Sequence, residues 1–364
     1  MCKKTLSVIA WVVLIAFFAG YTSSNSNIGY AESGADPNQA LSSSVDSTES
    51  EGFTFKVAAV LGLGGLGDGS LSDAVYSGLV QAENEFGVII QVIEPREIAE
   101  FEGHFAELSR SGEYDLLVGA GYDQGEAIAR VSRVFPNQMY LLVDGFVDND
   151  TNVIAVSYAN NERSFAVGML AAMMTETNHV GVIGGMDAPF LHNSIAGYIA
   201  GARYANPDVE VSVKYTNSWS DTVLAKEIAI AMFDDSVDII YNQAGGAGLG
   251  IYAAANEKGF YAIGTETNQN PLFPDHIVAS ALSLMGDTVF RGIKDAIDGS
   301  LKPGSVTRGF AEDGIGYTIE GSNITTPDEV INLLDQTIEK IKLGEIVVPE
   351  AFEEVDPFLE ANRR

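Results

Sequence analysis

The sequence predicts an α/β fold of two doubly wound, mostly parallel sheets flanked by helices. Three observations lead there. From residue 53 onward, short runs rich in Val and Ile alternate with longer amphipathic stretches, the pattern of βαβ units. Polar, glycine-bearing loops follow those runs. The roughly 310 residues beyond position 52 exceed what one core usually serves, so two lobes are expected.

Strands are read at 56–61, 88–93, 116–118, 139–143 and 153–156, then at 180–183, 210–215, 237–241, 261–263 and 277–280. Helical periodicity fills the intervals: 73–86, 101–111, 125–134, 162–175, 190–206, 222–233, 247–258 and 284–297. Ten strands are many for one doubly wound sheet, and two sheets of about five fit better. Two stretches, "LLVGAGYDQGEAIARVSRVFPNQ" and "IIYNQAGGAGLGIYAAANEKGFY", each read as strand, glycine-containing turn, Ala-rich helix and next strand. Each places a loop and a helix N-terminus at a strand's carboxyl end, where open α/β sheets bind ligands.

Lys3 and Lys4 precede an apolar run over 6–19 and a small, Ser-rich segment, which reads as a secretory signal over 1–31 and a flexible linker over 32–52. The mature chain is expected to be exported. The single cysteine, Cys2, allows no internal disulfide, and the four histidines lack ligand spacing. A net charge of −30 disfavours nucleic acid and anionic membranes as partners. After Gly321 one further helix is read over 327–343, followed by a mobile acidic tail.

Gly62, Gly64 and Gly67 in "AVLGLGGLGDGSLSDAV" have the G-x-G-x-x-G spacing of a dinucleotide loop. That chemistry needs the third glycine at the helix start and an uncrowded anion site. Here Asp68, Gly69 and Ser70 prolong the loop, and Asp68 brings a like charge to the anion position. Ser72 is instead expected to cap the helix with its hydroxyl, with Asp73 favouring the helix dipole. Other polar groups follow strands: Asp144 after "MYLLV", Asp187 after "VGVIGGM", Trp219 and Asp221 in "TNSWSD", Gly245 and Gly246 after "IIYNQA", and Glu266 after "YAIGT". A strand-end carboxylate costs desolvation unless it is paired or faces a cleft, which singles out Asp144 and Glu266. Two carboxylates can accept the paired hydroxyls of a sugar, while Trp219 or Tyr241 can cover an apolar ring. Helix capping and core packing explain the same residues without a ligand. No G-x-S-x-G, no G-x-x-x-x-G-K-[ST] and no cluster of His or Cys stands in the chain, so an enzyme is disfavoured.

The order of the stretches "GGLGDGSLSDAVYSGL", "YDLLVGAGYDQGEAIARVSRVFPNQMYLLVDG", "ERSFAVGMLAAMMTETNHVGVIGGMDAPFLHNSIAGYIAGARYANPDVEV", "SWSDTVLAKEIAIAMFDDSVDIIYNQAGGAGLGIYAAANEKGFYAIGTETNQNP" and "IVASAL" resembles the basic membrane protein family, which includes purine-nucleoside receptors of ABC transporters. The resemblance runs from about residue 55 to 317. It implies a two-lobed periplasmic binding protein of type I, without enzymatic activity or cofactor, that works as a monomer with an ABC permease in the membrane. It also implies a lobe over 53–157 rejoined by 282–317, a second lobe over 158–281, and a C-terminal helix and tail over 318–364.

Carried position by position, the family's D-x-S-F-N loop reads Asp68, Gly69, Ser70, Leu71 and Ser72, so a ring-stacking phenylalanine is Leu71 and an asparagine is Ser72. The family's base-recognising aspartate corresponds to Gly62, which creates the dinucleotide-like spacing by accident. Asp144 and Glu266 keep the acceptors expected for a sugar, and an expected lysine is Ser283. The implied site is thus Asp68, Ser70, Leu71, Ser72, Asp144, Trp219, Tyr241, Gly245, Gly246 and Glu266. The ligand it implies is nucleoside-like. A flavin, a pentose, or a sensing role beside a membrane signalling partner are the alternatives that Gly62 and Leu71 leave open.

Overall fold

The computed structural model describes residues 54–148 and 151–362. The expected leader over 1–31 and linker over 32–52 lie outside the described residues.

The first sheet contains β1 (Lys56–Val60), β2 (Ile89–Ile93), β3 (Leu116–Ala120), β4 (Met139–Val143), β5 (Val153–Tyr158) and, from far along the chain, β11 (Gly304–Arg308). The second contains β6 (His179–Gly184), β7 (Glu210–Tyr215), β8 (Ile239–Gln243), β9 (Tyr261–Glu266), β10 (Ile277–Ser283) and β12 (Ile315–Thr318). Their orders are β11-β5-β4-β3-β1-β2 and β12-β10-β9-β8-β6-β7. Every described pairing is parallel except β10 with β12. Strand order reverses between β1 and β3 in one sheet and between β6 and β8 in the other, the switch points where such sheets open a crevice. Continuous runs such as "KVAAV", "LLVGA" and "IIYNQ" are buried on both faces, as parallel strands covered by helices must be.

The helices are α1 (Leu71–Phe86), α2 (Glu100–Ser111), α3 (Gly125–Val134), α4 (Asn160–Met174), α5 (Pro189–Ala205), α6 (Thr222–Asp234), α7 (Leu249–Lys258), α8 (Met285–Ile297), α9 (Asp328–Lys342) and α10 (Phe352–Ala361). None of them is long and apolar enough to cross a membrane. Local chemistry sets their ends. Asp221 accepts from Leu224 N at 3.0 Å to cap α6, and Gly87 ends α1 in the left-handed region with its N–H on Glu83 O. From Phe165 to Ala172 every residue of α4 is buried, so this stretch is apolar around its whole circumference, while the polar first turns carry Asn160 to Ser164. It lies against α5 at glycine contact distance: a Cβ on Gly201 would stand 2.0 Å from Phe165 O, and one on Gly197 would stand 2.2 Å from Asn161 O.

Three features differ from the sequence reading. β11 and β12 were not expected, because "GSVTR" is largely exposed and "IGYT" is short, and neither carries a buried apolar run. β12 pairs in the second sheet, whereas 282–317 was read as returning to the first. The residues read as an acidic tail include α10, whose buried Val355 and Phe358 are hidden among acids; Phe358 meets Phe165 edge-on at 5.6 Å. The chain passes between the sheets at 159, 284 and 309–314. These passages are tied together, since Ala159 N donates to Arg308 O at 3.0 Å and Leu284 N to Gly314 O at 2.9 Å.

Candidate functional site: a cavity between the two sheets

The carboxyl ends of both sheets face one another across a cavity of about 120 Å³. The first sheet supplies the loop after β1 (Gly62, Asp68, Ser70, Leu71, Ser72), the turn after β3 (Gly121, Tyr122, Asp123) and Asp144 after β4. The second supplies Gln243 ending β8, Gly245 and Gly246 just after it, Thr265 and Glu266 ending β9, Trp219 from the loop before α6, Phe190 and Ser194 from α5, and Asn160 and Arg163 from α4. Both switch points therefore open onto the same space. The two similar sequence stretches take equivalent places, β3 leading through a short 3-10 turn into α3 and β8 through another into α7.

Asp144, just after β4, and Glu266, the last residue of β9, have φ of 60° and 67°, a left-handed backbone that costs a non-glycine residue about 1 kcal/mol and persists only where surroundings enforce it. Burial pushes both carboxyls above their ordinary range, and the Arg163 guanidinium pulls both back. Glu266 stands at about 7, with Asp144 and Asp68 raising it further and the Ser70 hydroxyl lowering it. Asp123 is held at about 6, chiefly by desolvation and in part by Asp144.

The β1 loop is not an anion cradle. Asp68 accepts from Ser70 N at 2.8 Å, Ser72 N at 3.0 Å and Asp73 N at 3.3 Å, while Asp73 accepts from Gly67 N and Gly69 N, each at 2.8 Å. Glu94 takes Leu66 N at 2.8 Å. The amides that a pyrophosphate would need are thus bound by the protein's own carboxylates, which disposes of the dinucleotide reading. The same bonds correct the expectation that Ser72 caps α1, and they take up the loop's backbone donors at Gly67, Gly69, Ser70, Ser72 and Asp73. Asp68 does the capping, and Ser72 Oγ is buried with no partner.

The loop also crosses between the lobes. Ser70 Oγ donates to Glu266 Oε2, and Gly69 O accepts from Thr267 Oγ1 at 2.6 Å and Gln269 Nε2 at 2.8 Å. On the other side of the cavity Tyr122 stacks on Phe190 with centroids 3.7 Å apart, and Trp219 lies 6.2 Å beyond. The indole fits because position 185 is glycine: a Cβ there would stand 2.3 Å from the ring.

Of the residues expected at the site, Asp68, Ser70, Leu71, Ser72, Asp144, Trp219, Gly245, Gly246 and Glu266 line the cavity. Tyr241 does not. It faces the same way as Gln243 but two residues deeper along β8, where it is fully buried, stacks on Tyr198 at 5.3 Å and brings its hydroxyl within 3.3 Å of Ser164 Oγ. Tyr122, Phe190, Asn160 and Arg163 were missed. For Arg163 a signal was present, the single cation of a helix whose next eight residues are all buried, so that a buried guanidinium there needs a partner.

The sequence profile of the family described as ABC transporter substrate-binding protein PnrA-like matches residues 55–351. The chain belongs to this family. Among its relatives, an uncharacterised lipoprotein of Pyrococcus abyssi is 28% identical, covering 86% of this chain and 89% of its own length. The ABC transporter nucleoside-binding protein BmpA of Lactococcus lactis subsp. cremoris is 27% identical, covering 81% and 89%. An ABC transporter solute-binding protein from Aeropyrum pernix superposes with a TM-score of 0.77 at 27% identity, covering 85% of this chain and 97% of that one. PnrA-like membership makes the chain an extracytoplasmic solute-binding component with a small-molecule ligand and a permease partner, in a family of binding proteins and not of enzymes.

Proposed function

We propose that this PnrA-like protein captures a nucleoside between its two lobes and presents it, as an exported monomer, to an ABC permease. The observation that carries the reading is that one cavity holds both kinds of group a nucleoside needs. Asp144 and Glu266 are suited to accept from sugar hydroxyls, and the run of Tyr122, Phe190 and Trp219 is suited to cover a heterocycle. The name of the Lactococcus relative supports it. An engineered cavity of about 150 Å³ takes one benzene ring, so a base with its sugar requires the Tyr122–Phe190 stack to part and the lobes to open about their three connections.

A second reading, another heterocycle or a free pentose, is favoured by Gly62 and by Ser72, whose hydroxyl has no neighbouring acceptor. The chain over residues 53–364, melted with nucleosides, free bases, flavins and pentoses, decides between them. At one hundred times its Kd a ligand adds about 2.7 kcal/mol of stability. A shift with nucleosides supports the proposal, and shifts with flavins or pentoses alone, or none, refute it.

A further inference from the structure

Five buried side-chain polar atoms among the described residues lack a partner, and three belong to residues lining the cavity: Ser72 Oγ, Asn160 Oδ1 and Arg163 Nε. Asn160 and Arg163 are one turn apart at the start of α4, so they share a face. Arg163 is 2% exposed, and its Nη1 donates to Ser283 Oγ. No ion pair within 4.0 Å joins it to Asp144 or Glu266 among the described residues, although its charge acts on both. A buried guanidinium with an idle N–H beside two carboxylates is costly unless a third group completes it.

We infer that Arg163, assisted by Asn160, is a specificity-determining residue that admits ligands carrying a vicinal diol and rejects their deoxy and phosphorylated analogues. A ligand hydroxyl satisfies both sides at once, accepting from Arg163 Nε–H while donating its own proton to Asp144 or Glu266. A deoxy ligand leaves the guanidinium unpaired, and a polar group left without its partner is what discriminates most strongly. A phosphate meets Asp68, Asp123, Asp144 and Glu266 against one cation. The strand order places this contact. Ser283 ends β10 and Glu266 ends the adjacent β9, whereas Phe190 and Trp219 lie toward β8 and β6, so Arg163 stands on the Glu266 side of the second sheet.

The inference rests on the nucleoside reading, and calorimetric titration separates the two. The wild type is titrated with inosine, 2′,3′-dideoxyinosine, inosine 5′-monophosphate, D-ribose and 2-deoxy-D-ribose. Inosine is expected to bind about 10- to 100-fold more tightly than its dideoxy analogue, with the monophosphate weaker still. Arg163→Ala should remove that ratio while changing dideoxyinosine binding less than threefold, and Ser283→Lys in the same background should restore part of it, because a lysine there starts from the atom Arg163 now contacts. An arginine that serves folding alone would shift both ligands equally and would not be rescued. Should the alanine variant fail to fold, Arg163→Lys and the wild-type ratios carry the test. Equal wild-type affinities for inosine and dideoxyinosine overturn the inference. If no nucleoside binds, the nucleoside reading falls and the ribose to 2-deoxyribose ratio judges Arg163; a ratio near one, or no binding by either pentose, overturns the inference as well.

Discussion

Replacing Glu266 by glutamine keeps the side chain's shape and its bond from Ser70 while removing a charge that the closed cavity holds at a loss. The carboxyl stands at about 7 against an ordinary 4.5. Below pH 4.5 it is protonated in folded and unfolded chains alike and has no effect. Between 4.5 and 7 the unfolded chain ionises first, the folded chain holds more protons, and stability falls as pH rises. Above 7 the full difference applies, at roughly 1.4 kcal/mol per pH unit about 3 kcal/mol, an upper figure because cavity water screens the charge. The empty Glu266→Gln protein should therefore melt about 5 °C higher than the wild type at pH 8 and level with it at pH 4.5. Ligand binding should move oppositely, since a carboxylate is the better hydroxyl acceptor: wild-type affinity should weaken as pH falls below about 7, by up to tenfold per unit, and the variant's should not. Melting curves at half-unit steps from pH 4.5 to 8.5, with and without ligand, provide the comparison. A glutamine variant whose melting point declines with pH as steeply as the wild type's would refute the assignment of this cost to Glu266.

Ser72→Ala removes a buried hydroxyl that has no partner, so the empty protein should gain about 1 kcal/mol in chemical denaturation while losing affinity for any ligand that approaches the β1 loop. Loss of stability in the empty protein would mean that the hydroxyl has a partner after all. Gly201→Ala should destabilise by about 1–3 kcal/mol or more, because a Cβ 2.0 Å from Phe165 O forces α4 and α5 apart; a variant melting within 1 °C of the wild type would contradict the close helix contact.

Strands buried on both faces were legible from the sequence because burial demands unbroken apolar runs: β4 has the bounds read for it, and β3, β6 and β9 merely extend by a few residues. The edge strand β7 also has the bounds read for it, although none of its residues is buried. What hid was structure with no such demand, the edge strands β11 and β12 and the helix α10. At the site, polar groups ending buried strands announced themselves by the cost of their position, as Asp144 and Glu266 did. Side chains that reach the cavity from helices did not, since Phe190 and Arg163 owe their place to how α5 and α4 sit on the second sheet. Tyr241 shows the converse, for period-two alternation gives a residue's face but not its depth.

The three passages between the sheets leave the first lobe unfinished until late in the chain. Its edge strand β11 arrives only at Gly304–Arg308, and α8, which covers α1 so closely that a Cβ on Gly78 would stand 2.2 Å from Gly286 O, arrives only after the second sheet's strand β10. No single cut yields two self-sufficient halves. In a chain still emerging from its ribosome the edge of β5 waits from residue 158 to 304 for β11, and the face of α1 waits from 86 to 285 for α8, an interval in which the lobe is expected to stay loosely folded. A segment awaiting passage through a membrane in extended form gains from such a delay, and the interleaved topology of the two lobes imposes it.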